Sequence, residues 1–413
     1  MTKPIKHRTD TTFKTIRRQN LIAAAMACAL LSTGCSSQRR TVQTEEALLA
    51  QRAENEKSQR EVFFGTVERL VDRAAAETAD KKEPATVDLL AMSGGGDKGA
   101  FAAGFLVGWG QSTDESYRRP EFDAVTGVST GALLAPFAFL GTDQSCKSVE
   151  EFYRHPKKDW VKNRLLFFLP AHPSFMTLPG LEREINVAVS DTMIQAMAAE
   201  SAKGRAIIIA ATNLDNGTQH FWNLGEEAAQ SLKTGDSKRV RRILLASAAI
   251  PAVFPPVIID GSAYADGGVT ANVFLRLDPE VPYGFIQVWR RKYPGLPLPK
   301  VRYWVIINNQ LRQPPKTVQP KWLAIMAPSL DTAIRSATVA EVRWLTAQAN
   351  YANAAYGTDI EVRVVAIPDE WRAPVPGSFK QETMESMTDL GRKLGAEKSS
   401  WQLWTAPKSG TGG

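Results

Sequence analysis

Cysteine is nearly absent from this chain. There are three in 413 residues, Cys28 and Cys35 lie near the start, and Cys146 is left alone in the body, so a disulfide framework is excluded. No C-x-x-C pair and no H-E-x-x-H segment occurs, which leaves zinc without support; no metal and no other cofactor is expected. Histidine is scarce as well, at His7, His155, His172 and His220 only. The apolar run Leu21 to Leu31 is too short to span a bilayer, which takes about 20 residues. The body also lacks a charge excess. Of the formal +7, Lys3, Lys6, Arg8, Lys14, Arg17 and Arg18 against Asp10 supply +5 before residue 35, and the remaining +2 gives no footprint for nucleic acid. What is present is ordinary: 44% hydrophobic residues can fill a core, and 29 Gly with 24 Pro fall short of a low-complexity composition.

The first 34 residues have the order of a secretory signal, with a basic start, an apolar centre and the small residues Ser32-Thr33-Gly34 before Cys35. This resembles the leader of bacterial lipoproteins, which is cut before a cysteine that is then lipidated. Such leaders usually carry Leu three positions before the cysteine, where this chain has Ser32. The resemblance implies an exported protein held at a membrane surface through Cys35, each buried methylene of the anchor contributing about 0.8 kcal/mol. Ser36, rather than Asp, resembles lipoproteins sent to an outer membrane. A leader left uncut or cut elsewhere is the alternative.

Residues 35–84 are read as a tether and an amphipathic helix, with Leu48, Leu49, Val62, Phe63, Val67, Leu70 and Val71 at helical spacing. The second half of that helix is expected to pack on the main domain, which spans 85–405. Residues 406–413 are a Gly/Ser-rich tail. Strands are predicted at Thr86 to Met92, Phe122 to Val128, Ala206 to Ala211, Gln219 to Asn223, Val257 to Ile259, Tyr303 to Ile307 and Glu361 to Ile367. Helices are predicted at Phe101 to Trp109, Ala132 to Leu140 and about 181–200, 237–248, 322–352 and 378–397. The β-α-β-α order points to a three-layer α/β/α sandwich around a mainly parallel sheet.

Three segments carry chemistry. Gly94-Gly95-Gly96-Asp97-Lys98-Gly99 lies between a strand and a helix, where glycines let backbone approach a ligand and the unpaired N–H groups of the helix start face it with positive partial charge. Gly127-Val128-Ser129-Thr130-Gly131 lies at a second strand-to-helix junction; small residues either side of a serine permit a sharp elbow that leaves its hydroxyl clear of the backbone. Asp266-Gly267-Gly268 follows the Pro-rich Ile250 to Pro256, and alone it reads as a turn.

Together these segments resemble the patatin-like phospholipase family, lipid acyl hydrolases with a serine–aspartate dyad. The resemblance runs from about Val87 to Asn272 through "LLAMSGGGDKGAFAAGFL", "FDAVTGVSTGALLAPFAFLG", "ATNLDNGTQHFWNL" and "ASAAIPAVFPPVIIDGSAYADGGVTANV". It implies Ser129 as nucleophile, Asp266 as base, and Gly94, Gly95 and Gly96 as the oxyanion hole. It also implies a lipid ester as substrate. The family commonly has Arg where this chain has Lys98, which keeps the charge and loses the bidentate fork.

The chemistry is coherent without the family. A serine hydroxyl needs a neighbour to take its proton, and the carbonyl oxygen under attack needs fixed donors. In a triad of the α/β-hydrolase type the histidine follows serine and acid, yet no histidine follows Asp266, so a carboxylate base fits what is left. A dinucleotide reading of G-x-G-x-x-G wants an acidic residue at the end of the next strand, about 20 residues on; that strand ends at Ser129, and Asp114 and Glu115 sit earlier in a polar loop. The apolar stretch Leu165 to Pro170 with Phe175, Met176 and Leu178 is read as an acyl-chain channel, a bilayer contact or plain core. The expectation is a lipid acyl hydrolase. Its alternatives are an esterase or thioesterase on soluble esters, and a non-catalytic envelope lipoprotein that keeps the fold. The sequence names no protein partner.

Overall fold

The structure is a computed structural model, and it describes residues 40–157, 159–160, 162–163, 174, 176–177, 179–274 and 279–403. The expected leader 1–34, Cys35, Leu165 to Pro170, His172, Phe175, Leu178 and the tail 406–413 lie outside the described residues.

In chain order the elements are α1 (Glu45–Lys81), β1 (Thr86–Met92), α2 (Gly99–Gly110), β2 (Ala124–Val128), α3 (Thr130–Leu140), α4 (Asp143–Arg154), the ribbon β3 (Lys162–Asn163) and β4 (Met176–Thr177), α5 (Pro179–Ala188), α6 (Asp191–Ala202), β5 (Ala206–Asn213) and β6 (Thr218–Asn223). There follow α7 (Leu224–Thr234), α8 (Lys238–Ser247), β7 (Val257–Ile259), β8 (Ser262–Asp266), α9 (Phe285–Lys292), β9 (Lys300–Gln310), α10 (Trp322–Tyr356), β10 (Asp359–Ile367), α11 (Gln381–Ala396) and β11 (Gln402–Leu403).

The strands are apolar on both faces, as a sheet sandwiched between helices requires. Along β1, Leu90 and Met92 enter one apolar layer while Leu89 and Ala91 enter the other. Along β5, Ile207 and Ile209 alternate with Ala206 and Ile208, and along β9, Trp304 and Ile306 alternate with Tyr303 and Val305. The sheet runs β11-β10-β9-β1-β2-β5, and β10, β9, β1, β2 and β5 are parallel. The result is a three-layer α/β/α sandwich with a mainly parallel sheet. One layer is centred on α2, whose every residue is buried; it meets α11 so closely that a Cβ on Gly104 would run into the Thr388 carbonyl. The other layer contains α1, α9 and the inner face of α10.

Several elements differ from the sequence reading. The helix expected over 181–200 is two helices, broken where the Ser190 hydroxyl caps the Met193 amide of α6. Helices α4, α7 and α9 and strand β8 were not expected. Helix α7 follows β6 with no loop, because Asn223 is at once the last strand residue and the N-cap, accepting from the Gly225 and Glu226 amides. The segment expected as a tether is docked from Arg40 onward: Gln51 donates to Ser262, Gln59 donates to the Phe221 carbonyl, and Arg73 pairs with Asp123. Among the described residues no helix is long and apolar enough to cross a membrane.

Candidate active site

The first two glycine motifs leave adjacent parallel strands at the same edge. Residues 93–98 follow β1, Ser129 follows β2, and the register pairs Met92 with Gly127. The third motif arrives through β5. Strand β6 occupies one edge of β5 over Ile208–Asn213, so β2 and β8 must share the other edge, β2 as far as Ala210 and β8 from Ala211. Val128 pairs with Ala210 and Asp266 with Ala211, and the ends of β2 and β8 therefore meet head to head. This brings Ser129 and Asp266, 137 positions apart in the sequence, side by side.

Ser129 occupies a backbone conformation that side chains avoid, at φ 54° and ψ −123°. The turn is pinned from several directions. The Ser129 amide donates to Ser247 Oγ at 2.9 Å, and that hydroxyl donates to the Ala210 carbonyl at 2.6 Å. Gly131 packs on the Met92 carbonyl, where a Cβ has no room, and Gly127 packs against Gly131. The serine lies at the start of α3, so the positive end of that helix faces the same space.

Asp266 is 5% exposed. Its amide donates to the Ala249 carbonyl at 2.8 Å and its Oδ1 accepts from the Gly268 amide at 2.8 Å, while Gly267 packs against Val128 and the Ala210 carbonyl. Its Oδ2 is buried without a hydrogen-bond partner among the described residues. Burial pushes this carboxyl up to about 6, held back by the nearby Ser129 hydroxyl and the Gly268 amide. The hydroxyl thus lies close enough to favour the carboxylate without completing an aligned bond to Oδ2.

The glycine loop closes the site from the third side. A Cβ on Gly94 would lie 2.9 Å from that of Ser129. The Gly94 amide is taken by Asn272 Oδ1 at 3.0 Å, whereas the Gly95 and Gly96 amides have no acceptor among the described residues. Asn272 is a site residue the sequence motifs did not single out. It donates to Thr338 Oγ1 at 2.8 Å, and its own amide donates to Glu341 Oε1 at 3.1 Å, so it ties the segment after Gly268 to β1 and α10. Burial pushes Glu341 up to about 7, against the amides of Val273 and Asn272.

Further along the loop, Lys98 Nζ donates to Asn309 Oδ1 at 2.8 Å and lies 3.9 Å from Asp331; burial lowers its pKa. The Asp97 carboxylate accepts from the Phe379 amide at 2.7 Å, and burial raises its pKa. Gly99 packs against Thr130 and Tyr153. Ser129, Asp266, Gly94 to Gly96 and Asn272 all line one cleft of about 1040 Å³. Its walls include Trp160, Ile250, Val253, Phe254, Met326 and Leu330. A smaller apolar cavity of about 100 Å³ lies on the other face of the sheet, between α1 and α9, and shares no lining residue with the cleft. His220 packs at a tilt against Trp222 and edge-on against Tyr264, and His155 is exposed beside Glu151; neither histidine lines the cleft. Among the described residues no group of three or more His, Cys, Asp or Glu is placed to hold a metal.

The fold and cleft define an α/β protein with a serine on a strained strand-to-helix turn beside a buried carboxyl group. Residues 90–277 match the patatin-like phospholipase family model, a match that supports a lipid acyl hydrolase at the level of the family. No curated protein matches the chain. Among solved structures the chain is similar to VipD from Legionella pneumophila, with 11% identity over 78% of this chain and 68% of that one and a TM-score of 0.34.

Proposed function

We propose that this protein hydrolyses fatty-acyl esters of lipids through an acyl-enzyme on Ser129, with Asp266 as general base and the amides of the Gly94–Gly96 loop as oxyanion donors. The observation that carries this reading is the buried Asp266 Oδ2, without a hydrogen-bond partner among the described residues, beside the Ser129 hydroxyl. A carboxyl group whose pKa is about 6 is largely ionised at neutral pH, yet basic enough to take a proton. As Ser129 Oγ attacks the ester carbon, its proton passes to Asp266 and the carbonyl electron pair moves to oxygen, facing the Gly95 and Gly96 amides. Collapse expels the alcohol, which takes the proton from Asp266. Water then gives a proton to Asp266 and attacks the acyl-enzyme; the fatty acid leaves and the proton returns to Ser129. The apolar cleft wall suits an acyl chain, which supports a lipid ester over a small soluble one.

Release of fatty acid from phospholipid and neutral-lipid vesicles by wild type, Ser129→Ala and Asp266→Ala tests the dyad. Each change is expected to abolish release while the fold persists, and a fluorophosphonate probe is expected to label wild type but not Ser129→Ala. Full turnover by either variant refutes the mechanism. An unlabelled, inactive wild type would favour a binding protein that keeps the fold. We also propose export and anchoring through Cys35, on the strength of the order of residues 1–34. Mass spectrometry of the Cys35 peptide reads this directly, and an unacylated cysteine refutes it.

A further inference from the structure

We infer that the cleft edge of the molecule is a membrane-docking face, and that the N-terminal end of α10 makes the contact with a bilayer bearing anionic lipid. The inference rests on the proposed action on lipid esters and adds how the cleft is presented to them.

Three observations meet at this edge. The first is the course of the chain. Helix α1 runs from Ser262, beyond the end of β5, back to Asp123 at the start of β2, so the N-terminus emerges on the cleft side. It is fastened there by Arg40, whose guanidinium grips both oxygens of Asp215 at 2.7 and 2.6 Å and donates to the Gly261 carbonyl at 2.6 Å. Asp215 is held in turn by the Ala263 amide, at the tip of the β7–β8 hairpin. Four residues separate Arg40 from Cys35, five Cα-to-Cα steps with a reach of at most about 18 Å, so an anchor on that cysteine would enter the bilayer beside this edge.

The second is the brim of the cleft. Helix α10 is tied to the end of β9 through Asp331 with Asn309 and Arg335 with the Gln310 carbonyl. Residues 322–330 run on past that point for about 13 Å. The inner side of this projection lines the cleft with Met326 and Leu330, while its outer side shows Trp322, 58% exposed, and Ile325, 49% exposed. The third is charge. Residues 311–330 contain Arg312, Lys316 and Lys321 and no Asp or Glu, and Lys316 and Lys321 are exposed beside the two apolar side chains. A tryptophan and an isoleucine next to lysines that have no ion-pair partner among the described residues suit a headgroup layer, where the apolar side chains enter the acyl boundary and the ammonium groups face lipid phosphates.

Binding is read by sedimentation with vesicles, without turnover, so the result stands apart from the fate of the dyad. The full chain carrying Cys35→Ser removes any acyl anchor from the measurement. It is expected to bind vesicles of phosphatidylcholine with 30% phosphatidylglycerol and to release as salt rises, and Trp322→Glu with Ile325→Glu should weaken binding at least tenfold. Trp344→Glu is the control: it is on the same helix and 63% exposed, but about 33 Å further from the cleft edge, and it should bind as the parent does. Hydrolysis of a dissolved short-chain ester by the double variant should stay within twofold of the parent, which reports an intact fold. Failure of the parent to bind, undiminished binding by the double variant, or an equal loss in Trp344→Glu overturns the inference.

Discussion

Asp266→Asn should stabilise the protein while destroying its turnover, and the stabilisation should vanish in acid. The unperturbed carboxyl value is 3.8, and burial in the cleft floor pushes it up to about 6. A difference of about 2 units corresponds to about 3 kcal/mol, the upper bound on what holding Asp266 ionised costs the fold. The sign follows from proton binding. Between about pH 4 and 6 the folded state keeps a proton that the unfolded state has lost, so stability falls as pH rises through that window and stays low above it. Asparagine never ionises; its Oδ1 can still accept from the Gly268 amide and its Nδ2 can donate to Ser129 Oγ. The variant should therefore exceed wild type by up to about 3 kcal/mol at pH 8 and match it near pH 3.5, read as the shift in urea midpoint across pH. In wild type the same ionisation should bring kcat/KM down about tenfold between pH 7 and 5, as the base becomes protonated. A variant no more stable than wild type at pH 8, or an excess that persists unchanged at pH 3.5, would refute the claim that an uncompensated carboxylate is held there for function.

Asn272→Ala removes the acceptor of the Gly94 amide and the link to Thr338 and Glu341; it should slow fluorophosphonate labelling of Ser129 by about 10- to 100-fold with the circular dichroism unchanged, and labelling at the wild-type rate would remove Asn272 from any positioning role. Ser129→Gly and Ser129→Ala should both be inactive, but the glycine variant should be the more stable by about 1 kcal/mol in urea, because φ of 54° strains alanine and not glycine; equal midpoints would show that the elbow stores no strain.

The legible parts of this protein are those whose physics is local. Each glycine motif marks a turn where backbone comes close to something else, and close approach by backbone leaves a mark in residue size: Gly94 beside Ser129, Gly131 on the Met92 carbonyl. The apolar strands Thr86 to Met92 and Ala206 to Ala211 announce a sheet covered on both faces for the same local reason. What escaped depends on pairing across long separations. Strand β8 is five residues after a Pro-rich run, and only its register against Ala211–Asn213 makes Asp266 the neighbour of Ser129 rather than the start of a turn. Asn272 is 178 positions from the amide it holds, and an isolated asparagine after a turn carries no sign of that use. Arg40 lies in what reads as a tether because its partner Asp215 is 175 positions away. Glu341 sits in a helix whose composition is ordinary, and its place in the site shows only where its carboxylate accepts from the amides of Asn272 and Val273. The motifs thus name the atoms that would react, while the residues that hold those atoms at working distance become identifiable only when the strand order is known. A substitution at one of these silent positions should therefore impair turnover while leaving every motif intact.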